Sequence, residues 1–250
     1  MVVRSRMSIP AVSSRAFSKV PLNGNHNVGI VIPTLNEEKN IQHVLSGLKT
    51  LGYDKVLVID GKSKDGTIKV ATENGAKVVM QIGRGKGTAV RQVLSNEYLD
   101  VDALVLMDAD GSMSPEEIPR FVEALNNGAD VVKGTRFAMG GFTYDMSIFR
   151  RIGNTFFTIM VNLLWSTGYT DLCYGYAIFN RKAIQKMSPV LKSTHFEIET
   201  EIFIKAKKLG LNVQEVPSVE YERRNGVSNL GAFKDGFKIL KTIFSELIRN

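Results

Sequence analysis

Between residues 28 and 107, short apolar runs alternate four times with amphipathic helical patterns, which leaves the chain very few architectures. Val28-Gly29-Ile30-Val31-Ile32-Pro33, Lys55-Val56-Leu57-Val58-Ile59-Asp60, the run 76–81 and Ala103-Leu104-Val105-Leu106-Met107 are continuous and rich in β-branched residues. The first has the pattern of a strand buried on both faces, the second reads as another buried strand, and the other two as a third and a fourth strand. Asn36-Glu37-Glu38-Lys39-Asn40 opens a first helix with the apolar stripe Ile41, Val44, Leu45 and Leu48, closed by Gly52. Ser63-Lys64-Asp65-Gly66-Thr67 leads into a second helix, and a third starts at Thr88. The alternation predicts an α/β fold: a mostly parallel sheet with helices on both faces. A further strand end is expected at 130–136, and residues 232–250 read as a C-terminal amphipathic helix. Its stripe is Phe233, Phe237, Leu240, Phe244 and Leu247, with Lys234, Lys238, Lys241 and Arg249 elsewhere. The expected organisation is a flexible basic tail over 1–27, one main domain over 28–231, and that helix.

Composition narrows the class. Of 250 residues, 44% are hydrophobic and 23% charged, as in folded globular chains and unlike disordered ones. Lys and Arg number 32 against 25 Asp and Glu, and the net charge of +7 points to an anionic partner. Nucleic acid, a phosphorylated substrate and an acidic membrane all satisfy charge alone. The tail carries Arg4, Arg6, Arg15 and Lys19 without an acid, a weak likeness to a transit peptide; the preferred reading is a disordered tail or a true start at Met7. A single Cys173 excludes an intrachain disulfide framework, and His26, His43 and His195 form no zinc-hydrolase motif. The most apolar run, Phe156 to Trp165, is about half of what a bilayer span needs.

In parallel sheets ligands bind at the carboxyl ends of strands, and the polar signals gather there: Asn36 and Glu37, Asp60, Arg84 and Lys86, Asp108 and Asp110. Asp108-Ala109-Asp110 can hold a divalent cation through oxygen ligands and leave positions for a diphosphate. The competing role is a helix cap, but Ser114, Pro115 and Glu117 already compose a capping box. The loop Gly83-Arg84-Gly85-Lys86-Gly87-Thr88 is not a Walker A, since glycine follows the lysine. By itself it is a flexible basic turn; beside a metal-bound diphosphate, Arg84 and Lys86 would neutralise phosphate oxygens. Asp60 either accepts hydrogen bonds from a base or ribose, or makes the turn before Gly61.

Taken together these segments resemble glycosyltransferase family 2, the inverting GT-A type, and within it the dolichol-phosphate mannosyltransferase and polyprenyl-phosphate branch. The likeness rests on Val31-Ile32-Pro33-Thr34-Leu35-Asn36-Glu37, on Val58-Ile59-Asp60 with Ser63-Lys64-Asp65-Gly66-Thr67, on Gly85-Lys86-Gly87 and on Asp108-Ala109-Asp110. It continues through Gly134-Thr135-Arg136, Thr170-Asp171-Leu172 with Gly175-Tyr176, and Arg223-Arg224-Asn225-Gly226-Val227-Ser228-Asn229-Leu230. The resemblance implies a metal-dependent transferase moving a sugar from a UDP- or GDP-linked donor to a polyprenyl or dolichyl phosphate. Residues 28–231 would be its catalytic domain.

It also implies roles. Pro33, Asn36, Glu37 and Asp60, with Lys86 and Asp108, would bind the donor nucleotide. Asp108 and Asp110 would hold Mn2+ or Mg2+. Arg136, Arg150, Arg151, Arg223 and Ser228 would bind phosphate groups, and Asp110, Asp171, Arg136 and Arg223 would form the catalytic set. The chain departs from the family at Asp60-Gly61, where a second aspartate is usual, at Ser112 and at Asn229. The sugar is therefore not carried over.

An anionic phosphate acceptor needs no base, whereas a hydroxyl of a lipid or glycan would need a carboxylate, with Asp171, Glu197 and Glu199 as candidates. A nucleotidyltransferase is the competing class of enzyme. Nucleic acid is not expected as a partner, because acidic residues at strand ends repel phosphates unless a metal intervenes. The oligomeric state is left open. A bilayer-bound acceptor, with no spanning segment, implies a cytoplasmic protein attached peripherally to the cytosolic membrane face. The stretch 155–165 behind Arg150 and Arg151 and the helix 232–250 are the candidate attachments, core packing being the alternative for each.

Overall fold

The structure, a computed structural model, describes residues 27–95, 98–227 and 231–249. The basic tail expected over 1–27 lies almost wholly outside them, as does Ser228. The apolar runs become strands β1 (Val28–Thr34), β2 (Val56–Asp60), β3 (Lys77–Met80) and β4 (Ala103–Leu106). Helices α1 (Glu38–Thr50), α2 (Thr67–Glu73) and α3 (Lys86–Leu94) connect them. Helix α4 (Ile118–Asn126) follows a 3₁₀ turn at Pro115–Glu117, and β5 is Val131–Thr135. Beyond it come β6 (Phe142–Thr143), α5 (Ile148–Trp165), β7 (Ala177–Asn180) and α6 (Arg181–Met187). The described chain ends with α7 (Ile198–Lys208), β8 (Val213–Pro217), β9 (Val219–Glu220) and α8 (Ala232–Ile248).

Seven strands form one sheet in the order β3-β2-β1-β4-β7-β5-β8. All neighbours are parallel except β7, which runs antiparallel between β4 and β5. The mostly parallel sheet with helices on both faces is thus the observed fold. Successive strand residues serve opposite faces, as the pleat requires. Ile30, Ile32, Val58 and Val105 join one core with α1, α4 and part of α2. Val31, Leu57, Ile59, Leu104 and Leu106 join the other with α3, α6, α7 and parts of α5 and α8. Strand β1 matters most for function. Its outgoing helix leads to β2 on one side, while β4 pairs on the other, so the strand order reverses between β1 and β4, the place where such sheets form their ligand crevice.

Two expectations change. The capping box does not form: the Ser114 hydroxyl donates to Glu116, while Glu117 accepts from the Ser218 hydroxyl and, at 3.0 Å, from the Val219 amide. Glu117 is needed to hold β9, so the helix begins through a 3₁₀ turn instead. The C-terminal helix does form, yet its Phe/Leu stripe is not the packed side. Ile239 and Ile243 face the core, while Phe237 is 69% exposed and Phe233 82%. Ion pairs secure the inward side: Glu246 meets Lys205 at 2.7 Å, and Asp235 meets Lys238 at 3.1 Å and caps the Gly231 amide at 2.8 Å.

Ile243→Ala should accordingly destabilise the protein by about 2–5 kcal/mol. Phe237→Ser should change stability by no more than about 0.5 kcal/mol. Urea unfolding curves measure both, and the opposite ranking would mean that the stripe is core.

Candidate functional site

The crevice between β1 and β4 is bordered by loops braced by hydrogen bonds. At the end of β1, Asn36 adopts a positive φ of 58°. Its amide donates to Ser63 Oγ and its Oδ1 accepts from the Lys64 amide, both at 2.8 Å. Asp60 ends β2 beside Thr34, with Pro33 opposite Ile59 one register earlier. Its buried carboxylate accepts from Thr34 Oγ1 at 3.0 Å, Ser63 Oγ at 2.6 Å and the Ser63 amide at 2.7 Å. Its oxygens brace the loop, and Asn36 adds to that brace.

The glycine loop before α3 packs on the segment 193–195. Gly85 has φ 92°, and a Cβ there would strike the Thr194 carbonyl and the His195 ring. This close approach sends Lys86 inward. Its Nζ lies 2.6 Å from Asp108 Oδ1 and 2.8 Å from Glu199 Oε1. Gly175 completes the pocket, since a Cβ there would come within 2.7 Å of both Lys86 Nζ and Glu199 Oε1. Burial disfavours the Lys86 charge, but the two carboxylates outweigh it and hold the ammonium above its ordinary pKa. Asp108 is also raised, toward its neutral form: desolvation raises its pKa, Lys86 opposes this, and neighbouring Asp110 adds to it.

A second cluster sits alongside. Asp110 Oδ1 accepts from the Ser112 amide at 3.0 Å and hydroxyl at 2.7 Å, and Oδ2 lies 3.3 Å from Arg223 Nη2. Arg223 Nη1 donates to both oxygens of Glu37, at 2.9 and 3.1 Å. Asn40 steadies Glu37 through a 2.6 Å bond, and Thr67 Oγ1 accepts from the Glu37 amide at 2.8 Å. The crevice therefore gathers Glu37, Lys86, Asp108, Asp110 and Arg223 of the expected residues, and it recruits Glu199.

Arg136 and Asp171 do not belong to this group. Arg136 is 3% exposed and Asp171 fully buried. Arg136 Nε and Nη2 donate to Asp171 at 2.7 and 2.9 Å, Nη2 also reaches the Cys173 carbonyl at 2.8 Å, and Nη1 donates to both Glu220 oxygens at 3.1 Å. Every guanidinium nitrogen is engaged, so none is left for a phosphate, and Asp171 has no open oxygen with which to act as a base. Burial opposes the charge of Asp171, but Arg136 holds its carboxyl below the usual range. In this structure the two residues clamp β5 to the 170s loop and β9. Sequence reasoning missed Glu220 and Lys133, which is fully buried and meets Glu215 at 3.0 Å. Each acid lies about 80 positions from its partner, at the separations 82 and 84, and no local pattern links them.

Arg150 sits in the first turn of α5, 3.7 Å from Asp145, and Arg151 lies over the Phe137 ring at 5.2 Å. Burial pushes the lone Cys173 thiol up to about 12, which removes it as a nucleophile. Among the described residues no three His, Cys, Asp or Glu side chains form a ready-made metal cage. Two carboxylates at a strand end still suit a hard cation such as Mg2+ or Mn2+, and Asp108 and Asp110 are the residues that would hold it.

The glycosyl transferase family 2 profile matches residues 29–188, from β1 through α6. The chain belongs to that family. It is 34% identical over 226 residues to the glycosyltransferase AglJ of Haloferax volcanii, covering 89% of this chain and 71% of that one. It is 29% identical over 235 residues to the UDP-N-acetylglucosamine–dolichyl-phosphate N-acetylglucosaminyltransferase of Methanococcus voltae, covering 84% of this chain and 94% of the relative. Its fold matches Mycobacterium tuberculosis glucosyl-3-phosphoglycerate synthase, crystallised with Mn2+, UDP and glucosyl-3-phosphoglycerate, at a TM-score of 0.71 and 21% identity. That match covers 89% of this chain and 80% of the synthase. This protein is thus a family 2 glycosyltransferase with the GT-A-like fold.

Breaking the Arg136–Asp171 clamp in this glycosyltransferase should cost about 3–5 kcal/mol in Arg136→Met, the usual penalty for stranding a buried charge. The depressed Asp171 pKa means that its stabilisation is present above the ordinary carboxylate range, and fades as pH falls toward the lower folded-state value. Asp171→Asn should flatten the acid limb of a stability–pH curve. An unchanged acid limb would place the acid sensitivity elsewhere.

Proposed function

We propose that the protein transfers a sugar, with inversion, from a UDP- or GDP-linked donor to a polyprenyl or dolichyl phosphate. The observation that carries this reading is the meeting of Asp108 and Asp110 with Lys86 and Arg223 in the β1/β4 crevice. Cations and hard oxygen ligands side by side suit a diphosphate leaving group. Asp108 and Asp110 would hold the divalent metal, which supplies Lewis-acid neutralisation of the departing diphosphate. The Mn2+- and UDP-bound state of the mycobacterial synthase supports that role.

The rest of the chemistry falls to this chain's residues. Pro33, Asn36 and Glu37 border the nucleotide side. Lys86 and Arg223 orient diphosphate oxygens, and Arg150, Arg151 and Ser228 remain proposed for phosphate groups of the donor or acceptor. An acceptor oxygen attacks the anomeric carbon, and the bond to the diphosphate breaks with its electron pair leaving on the nucleotide. Of the three carboxylates that sequence offered as a base for a hydroxyl acceptor, Asp171 is sealed by Arg136 and Glu199 is bound to Lys86. Glu197 is buried and accepts from the Thr194 and His195 amides at 3.1 Å. A phosphate monoester, already anionic, needs none of them. The name of the Methanococcus voltae relative, a dolichyl-phosphate transferase, points the same way.

Surface chemistry supports a membrane-borne acceptor. Among the described residues no helix is long and apolar enough to cross a bilayer. Helix α5 nevertheless turns Ile148, Ile152, Phe156, Ile159 and Leu163 outward, the last 78% exposed. Helix α8 turns out Phe233, Phe237, Phe244, Leu247 and Ile248, and the Phe149 and Phe233 rings meet at 4.9 Å, joining the two faces. Soluble monomers rarely expose so continuous an apolar face. Arg151, Lys234, Lys241 and Arg249 are exposed on the same two helices or just past their ends. We assign this face to an anionic bilayer surface, with peripheral attachment at the cytosolic side.

A radiolabelled donor screen with Mn2+ should yield a butanol-extractable, mild-acid-labile product and release UDP or GDP. Asp110→Ala and EDTA should each abolish it. Pyrophosphate release would instead favour a nucleotidyltransferase, and an acid-stable product a hydroxyl acceptor. The protein should also sediment with anionic vesicles, less so in high salt. Phe237→Ser with Phe244→Ser should weaken that binding at unchanged melting temperature. Concentration-dependent dimerisation with no vesicle binding would assign the face to a second copy.

A further inference from the structure

The two clusters in the crevice share one design. Each aspartate of Asp108-Ala109-Asp110 is already neutralised by a protein cation, Lys86 on Asp108 at 2.6 Å and Arg223 on Asp110 at 3.3 Å. Each of those cations is also tethered to a second carboxylate outside the motif, Glu199 at 2.8 Å and Glu37 at 2.9 Å. Both tethers are themselves held in place. Glu37 is fixed by Asn40 and through its amide by Thr67, and Glu199 rises from the first turn of α7 against Gly175.

Four carboxylates against two cations leave the set with two uncompensated negative charges, the charge that one divalent cation brings. A metal held by the two aspartates would compete with Lys86 for Asp108 and with Arg223 for Asp110, and a cation with no other partner would resist leaving a half-buried acid. Glu199 and Glu37 remove that obstacle.

Resting on the donor-site reading above, we propose that Glu37 and Glu199 are positioning residues for a cation exchange. When Asp108 and Asp110 are drawn on by a metal, Lys86 and Arg223 would shift onto Glu199 and Glu37, which would keep the two side chains at the crevice edge for the diphosphate. The aspartates would then serve the metal without either cation being lost to solvent, and an ammonium and a guanidinium would stay beside the diphosphate. The same sharing explains why Lys86 is sunk between two acids instead of projecting from its glycine loop as a free phosphate-binding charge.

A double-mutant cycle on the affinity for Mn2+ alone, read by electron paramagnetic resonance, tests the exchange. Glu199→Gln leaves Lys86 with Asp108 as its only acid and should weaken Mn2+ binding about tenfold, the size of one charge-assisted hydrogen bond. In the Lys86→Met background the same change should have almost no effect, because no cation remains to be rehoused. Equal losses in both backgrounds would mean that Glu199 acts only as a distant negative charge, and would overturn the proposal. Glu37→Gln with Arg223→Gln repeats the cycle at Asp110, so a folding failure on one side leaves the other decisive. In Mn2+-saturated protein, Lys86→Met should bind UDP or GDP about tenfold more weakly than wild type. If wild type binds no Mn2+ with or without nucleotide, it is the metal reading under the proposed function that fails, and the exchange falls with it.

Discussion

Charge compensation in the crevice between β1 and β4 is the constraint on which the rest of the site depends. A parallel sheet delivers loop after loop to the same edge, and here those loops bring Glu37, Asp108 and Asp110 together with Glu199 from α7. Like charges at such spacing repel unless cations are interleaved. Lys86 and Arg223 supply that interleaving, each bridging two acids. Much of the surrounding architecture serves this arrangement. Gly85 lets the lysine loop sink against 193–195, Gly175 leaves room for the Lys86–Glu199 pair, and Asn40 and Thr67 fix the Glu37 end.

The other buried ion pairs have a different task. Arg136 with Asp171 and Glu220, and Lys133 with Glu215, join β5 to the 170s loop and to the strands that follow α7. Lys133 also lies 4.7 Å from the Phe203 ring centroid and 5.6 Å from that of Tyr169, which offsets part of its desolvation. These clamps are needed because the second half of the sheet is not a simple βα alternation. An antiparallel strand, β7, is wedged between β4 and β5, and the two-stranded β6–β9 ribbon folds over the end of β5. Satisfied buried charges fix such irregular connections in one register.

Helices α5 and α8 extend the functional argument away from the crevice. Their inward residues are few, chiefly Asn154, Thr158 and Val161 on α5 and Ile239 and Ile243 on α8, and the wider apolar surfaces point out. A bilayer facing those surfaces would recover the burial that the core does not provide. The basic residues beside them fit the positive net charge of the whole chain.

The sequence by itself determined the first half of the fold and the chemistry of its loops. Strands β1 to β4 are mostly apolar runs of four to seven residues, punctuated by proline, glycine and aspartate, so neighbours along the chain suffice to recognise them. The placement of Glu37, Lys86, Asp108 and Asp110 at strand ends followed from that pattern. Tertiary structure alone decided how each charge is used. Arg136 and Arg223 look alike in the sequence, yet one is sealed by Asp171 and Glu220 while the other stands at the crevice between Glu37 and Asp110. Likewise the stripe on α8 could be read as core, and only packing against α7 turned Ile239 and Ile243 inward and the phenylalanines out. The reason is the same in both cases: periodicity is local, whereas the partner of a charge and the neighbour of a helix face come from residues dozens to nearly two hundred positions away.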